Sequence, residues 1–124
     1  MCSLVSVCCH TSSIDFEAKC TKFGYLQNRF GLPLDNRADY TKTDWEVWTA
    51  TLASSRADFD ALMGPVYDFV SHTPQRVPLT DWYQTKDARM QGFQARPVIG
   101  GVFCKMLGDP AAWKKWAGKT PASR

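Results

Sequence analysis

The sequence predicts an all-α fold: part of an (α/α) helical toroid, about two helical hairpins plus one preceding helix, with long loops on one face. Three observations predict it. Residues 44–54 and 97–107 are apolar nearly all round, the pattern of helices buried on every side. Residues 14–28 and 56–71 instead space apolar side chains at helical intervals with charges between them, as helices wetted on one face do. Connections from an inner to an outer helix take one or two residues, whereas those from outer to inner run to about fifteen and about twenty-five.

The first element, Ile14 to Asn28, carries Phe16, Cys20, Phe23 and Leu26 on one face and Glu17, Lys19 and Lys22 between them. Gly31 and Pro33 stop it. A polar loop over 29–42 follows, and Thr43-Asp44-Trp45-Glu46 reads as a capping box. In that pattern Thr43 accepts the Glu46 amide and Glu46 reaches back to the Thr43 amide. The helix it opens sets Trp45, Trp48 and Leu52 against Val47, Ala50 and Ala53, with no charge beyond its first turn. Ser54-Ser55 turns the chain, Ser55 caps with Asp58 at N3, and Phe59, Leu62, Val66 and Phe69 form the stripe of an outer helix. Gly64-Pro65 is expected to kink that helix, since Pro65 has no N–H for the Ala61 carbonyl. Residues 72–96 form the second long connection, in which RVPLTDWYQT has the β-branched and aromatic content of a short extended or hairpin segment. Pro97 opens PVIGGVFCKML, whose Gly100-Gly101 pair permits close backbone approach in a buried helix. Gly108 ends it, and Asp109-Pro110 starts a last helix with Trp113 and Trp116 opposite Lys114 and Lys115.

Composition bounds the function. A hydrophobic fraction of 44% and a charged fraction of 22% fit one soluble globular domain of 124 residues. The net charge of +3 is scattered, without the dense Lys/Arg stripe that phosphate backbones require, so no nucleic-acid partner is expected. No apolar run reaches the ~20 residues of a membrane span, so no membrane partner is expected either. Residues 1–13, MCSLVSVCCHTSS, form a leader with a short broken apolar core and no basic start, which is no convincing signal peptide. Cys2, Cys8, Cys9, Cys20 and His10 lack metal-ligand spacing, so neither metal nor cofactor is expected.

Both long loops fall over the N-termini of the inner helices, where free N–H groups and the helix dipole favour a carboxylate or a developing oxyanion. The face that carries them is the functional one.

The strings GLPLDNRADYTKTDWEVWTATLA, FDALMGPVYDFVSHTPQRVPLTDWYQT and GFQARPVIGGVFCKML carry a more specific signal. In collinear order over about Ala18 to Leu107, this chain resembles the C-terminal region of the fungal and bacterial glutaminase A family. The resemblance implies that residues 14–124 are a C-terminal fragment of a six-hairpin helical toroid, an architecture many glycoside hydrolases also use. It implies hydrolysis of L-glutamine to glutamate and ammonia, commonly by secreted proteins. Two hairpins cannot close a ring of six, so the remaining hairpins are the expected partner, glutamine the expected substrate of the whole protein, and the chain alone is expected to be inactive.

Amide hydrolysis needs an activated water or nucleophile, a proton donor for ammonia, and a group that polarises the carbonyl. Asp44 and Asp81 are the candidates for acid, base or ammonium partner. Arg37 or Arg96 would take the α-carboxylate, with Asp35 and Lys42 as further charges, and Tyr40 and Trp45 would wall the pocket. Each has a plainer role: Asp44 suits a helix N-terminus, Asp81 a turn, Arg37 could brace the loop through Asp35, and Arg96 could tie the long connection down. Paired carboxylates at such a mouth also suit glycoside hydrolysis, and a loop face whose charges are all paired internally would fit a non-catalytic packing piece.

Overall fold

Each long connection contributes one short strand, and the two strands pair over the start of the central helix. The computed structural model describes residues 27–117. Strand β1 (Tyr40–Lys42) runs directly into helix α1 (Thr43–Thr51), and a tight turn leads to α2 (Arg56–His72). Strand β2 (Trp82–Gln84), a 3-10 helix (Pro97–Phe103), α3 (Cys104–Leu107) and α4 (Pro110–Trp116) follow. Helix α1 packs against α2 and against the 3-10 segment. The leader and most of the first expected helix lie outside the described residues, and Gln27 and Asn28 are not helical.

The fold is mainly helical, as expected, but carries a small sheet that was not expected. β1 and β2 form an antiparallel pair with Tyr40 opposite Gln84, Thr41 opposite Tyr83 and Lys42 opposite Trp82. The bridges Thr80–Gln94 and Tyr83–Met90 extend the pairing into a hairpin-like return of the second connection. Because successive strand residues point to opposite faces, Thr41 and Tyr83 are buried while Tyr40, Lys42 and Trp82 share the outer face. Both long loops thus meet at one end, over the N-terminus of α1.

The core sits beneath this sheet. Phe69 of α2 lies flat on Tyr83 with ring centroids 3.5 Å apart, and Phe30 and Ala88 close around them. The Tyr83 hydroxyl donates to the Phe30 carbonyl at 2.9 Å, which ties the first loop to β2. Helix α2 is capped as its sequence indicates: Ser55 Oγ accepts the Asp58 amide at 3.0 Å. It stays helical through Pro65, and the Ala61 carbonyl that Pro65 cannot serve accepts the Gln27 side-chain amide at 3.4 Å.

Three expectations fail. The capping box does not form. Thr43 donates its amide at 2.9 Å, and its hydroxyl, to the Asp81 carbonyl of the other loop. Glu46 turns inward to the Leu32 amide at 2.6 Å. Helix α1 is not buried all round: Trp48 on it and Leu52 at its C-cap are 39% and 45% exposed. The stretch 97–107 is not one buried α-helix either. It opens as a 3-10 helix, none of its residues is buried, and Phe103 and Leu107 are 63% and 66% exposed. The glycine pair weakens the α form there, and Gly101 sits so close that a Cβ would lie 3.1 Å from the Asp44 Cβ and 3.0 Å from the Trp48 indole nitrogen.

Gly31 has the tightest seat of all, with φ at +130° and a hypothetical Cβ only 2.5 Å from a Glu46 carboxyl oxygen. Gly31→Ala combines a strained backbone with a clash against a side chain held from both sides. It is expected to lower stability by about 2–4 kcal/mol, read from the urea midpoint.

Candidate functional site

The site is assembled where β1 enters α1, and strand alternation decides which side chains stand there. On the outer face the Lys42 ammonium lies 5.5 Å from the Trp82 ring centroid. Tyr40 meets the same indole edge-on at 5.5 Å. Phe93, arriving on the hairpin return, stacks on Trp82 at 5.5 Å, and the Arg96 guanidinium sits 4.6 Å over Phe93. The outcome is a continuous wall of cations and aromatic rings, Lys42–Trp82–Phe93–Arg96.

Two carboxylates stand at its foot. Asp81, only 1% exposed, accepts from Arg96 Nε at 3.0 Å and from a terminal guanidinium nitrogen at 2.6 Å. This fork-to-fork bond fixes both side chains in one plane. It also holds Arg96 still more firmly in its charged form. The Asp81 carbonyl receives Thr43, so this one residue joins the second loop to the first turn of α1. Asp44, 4% exposed in that turn, is placed differently. Its Oδ1 is buried without a hydrogen-bond partner. Burial pushes its carboxyl up, the Asp81 charge adds to this, and nearby amides and Lys42 work in the opposite direction. An acid shifted upward by burial beside a second carboxylate is a candidate for proton transfer.

The remaining candidates divide. Tyr40 and Lys42 belong to the wall, and Lys42 has no carboxylate partner among the described residues. Trp45 is half-buried and leans on Trp48 with centroids 5.7 Å apart. Arg37 spends its side chain on Asp35, an exposed pair that braces the loop and holds Asp35 below the usual carboxylate range through the Arg37 hydrogen bonds. No contact joins that pair to Asp44, Asp81 or Arg96.

Two participants escape sequence reasoning. Trp82 lies in the segment whose sequence indicates an extended or hairpin stretch, and alternation against β1 sets it beside Lys42. Glu46 was assigned to a cap; its position on the α1 face toward Thr41 and Leu32 becomes visible only once the loop is folded back. Among the described residues, no three His, Cys, Asp or Glu side chains gather as metal ligands, and no helix is long and apolar enough to cross a membrane.

The sequence of this chain has known relatives. Residues 16–106 match the family described as the Glutaminase A six helical-hairpin domain. The chain belongs to the glutaminase A family. It is 33% identical to Glutaminase A of Aspergillus oryzae over 95 residues, which are 74% of this chain and 14% of that protein. It is 36% identical to a probable glutaminase of Arthroderma benhamiae over 91 residues, 71% of this chain and 10% of the relative. The chain therefore spans a small part of the glutaminase A relatives it matches. No solved structure matches it significantly. The whole candidate site, Tyr40 to Arg96, lies inside the stretch that matches the glutaminase A domain.

Proposed function

We propose that this chain is a portion of a glutaminase A-type hydrolase, which converts L-glutamine and water to L-glutamate and ammonia. Its sheet-and-α1 face then forms one wall of the glutamine site in a closed six-hairpin toroid. The observation that carries this reading is the buried, unpartnered Oδ1 of Asp44 beside the Asp81–Arg96 pair. Most other charges of the loop face are matched internally: Asp35 with Arg37, Asp39 with Lys86. Asp44 instead keeps a buried oxygen with no partner among the described residues.

In this reading Asp44 is the acid, base or ammonium partner. Lys42 takes the α-carboxylate, and Arg96, oriented by Asp81, stabilises charge that develops on the amide oxygen. Tyr40 and Trp45 wall the pocket, and Asp35 with Arg37 stiffens its rim. The remaining hairpins supply the opposite wall. In support, Phe103, Met106, Leu107, Trp113 and Trp116 line an apolar groove of about 530 Å³ that shares no residue with the site. Exposed apolar surface of that kind is what neighbouring hairpins would cover.

Two measurements test the proposal. The purified chain is expected to release no ammonia from glutamine and to self-associate in sedimentation; substantial turnover by the chain alone would overturn the need for other hairpins. Residues 16–106 grafted in place of the matching stretch of the Aspergillus oryzae protein should yield an active chimera. There, Asp44→Asn should lower kcat by about 100-fold or more, the usual scale for a lost acid–base group, while Asp35→Asn leaves it nearly unchanged. Full turnover by the Asp44→Asn chimera would remove Asp44 from the chemistry.

A further inference from the structure

We infer that Glu46 is a positioning residue that holds the loop over 29–42 in its neutral, protonated form, and that this loop lets go of α1 when the proton is lost. Glu46 is fully buried. Its Oε1 accepts the Leu32 amide at 2.6 Å and the Thr41 hydroxyl at 3.3 Å, which pins both the loop and β1 to the helix. Its Oε2 has no partner. A carboxylate with one satisfied oxygen and one bare oxygen, shut away from water, is far costlier than the neutral acid.

No cation relieves it. The loop presents backbone and Leu32, and β1 presents Thr41. From β2 the one titratable group is Tyr83, whose hydroxyl is committed to the Phe30 carbonyl and is itself pushed up by burial and then by the Glu46 charge. On its own helix the nearest acid is Asp44, which engages Asp81 and Lys42 electrostatically. Helix α2 reaches this region through Phe69, stacked on Tyr83. Helix α2 ends in His72, whose Nδ1 lies 2.8 Å from the Asp68 carbonyl and whose ring is tilted against Phe30. The 3-10 segment packed on α1 has no titratable side chain, and Lys105 of α3 lies over the Phe59 ring, so no cation faces the carboxyl. Burial raises the Glu46 carboxyl to about 8, and the bonds from Leu32 and Thr41 pull it only part of the way back.

Geometry decides what moves when the proton leaves. The ionised Oε2 must reach water, and the Gly31–Leu32 turn is the segment that lies directly against the carboxyl. The Leu32–Glu46 bond joins that turn to α1; the other amides of the segment bond within the loop or to the strands. Lifting the turn carries along the Asp35–Arg37 brace and frees β1 at Thr41, between Tyr40 and Lys42. The candidate site would be in register only while Glu46 keeps its proton.

The test uses the full chain labelled with carbon-13 in glutamate carboxyls and leucine methyls, titrated by NMR from pH 4 to pH 9. The Glu46 carboxyl carbon is expected to titrate near 8 rather than near 4.5. The Leu32 methyls should shift toward solvent values over the same range while the Leu62 methyls, buried on α2, stay in place. Glu46→Gln should abolish the Leu32 change. Titration in the ordinary range would overturn the inference, as would a Leu32 signal unmoved at pH 9, or Leu32 and Leu62 shifting together, which is global unfolding. Should the Gln variant not fold, the wild-type carboxyl and methyl titrations decide by themselves. The signals report the loop and not amide hydrolysis, so failure here and failure of the glutaminase reading are told apart.

Discussion

Phe69→Ala is expected to lower the stability of this chain by about 3–5 kcal/mol, the usual cost of truncating a buried phenylalanine. The ring is completely buried and lies within 5° of parallel to Tyr83, with Phe30 and Ala88 around it and Val70 and Leu79 packed on their edges. It is the main apolar link between α2 and the sheet. Removing it leaves a void bounded by elements from three separate stretches, which cannot collapse together without breaking the Tyr83 bond to Phe30. For a domain whose whole stability is about 5–15 kcal/mol, such a loss comes close to unfolding it. Phe69→Leu, which keeps most of the volume, should cost no more than about 1–2 kcal/mol. Urea midpoints and near-ultraviolet circular dichroism of the tryptophans would read both. A loss under about 1 kcal/mol for Phe69→Ala would mean that something other than this stack holds the sheet to α2.

The effect would reach the site. Tyr83 and Trp82 are consecutive on β2 and face opposite sides, so loosening the buried one lets the outer one tilt. The Lys42–Trp82–Phe93–Arg96 wall depends on that register. A core substitution is thus expected to blur a surface 3-D arrangement whose residues it never touches.

Legibility in the sequence followed the range of the interactions. Ser55 with Asp58, and Asp109 with Pro110, are local capping signals, and both form: Asp109 accepts the Ala111 amide at 2.8 Å. The meeting of the two loops over α1 was legible too, because helix order and connection length bear on it. Gly101 makes the close approach its pair suggested. The capping box was misread for the opposite reason. Thr43 and Glu46 have the correct spacing, but partners 38 and 14 residues away, Asp81 and Leu32, take their bonding groups instead. Three-residue strands were likewise too short to show a period, and Tyr40–Lys42 looked like the end of a polar loop. Apolar composition over 97–107 signalled burial, yet that surface faces solvent in the described residues; hydrophobicity reports that a surface wants cover without saying what provides it.

The same buried carboxyl that sequence pattern assigned to a cap sets an unusual pH dependence. Between about pH 4.5 and about pH 8 the unfolded chain gives up the Glu46 proton while the folded chain keeps it. The unfolded state then binds fewer protons, so stability is greatest below the unfolded value and is lost as pH rises through the folded one. The slope is about 1.4 kcal/mol per pH unit, and the loss over the interval is on the order of 4–5 kcal/mol. Release of the Gly31–Leu32 turn truncates that loss, because a folded form with its loop lifted holds the proton no better than the unfolded chain. Glu46→Gln removes the titration but puts two unpaired amide donors where the neutral acid had one hydroxyl, at a cost of about 1–2 kcal/mol that does not vary with pH. The stability curves of the two proteins should therefore cross between about pH 5 and about pH 6, wild type ahead below and the Gln variant ahead above. Asp44, whose carboxyl is also raised by burial, titrates in both and cancels in the difference. Urea midpoints at unit intervals from pH 4 to pH 9 would show the crossing, and parallel curves would mean that Glu46 is ionised in the folded chain throughout.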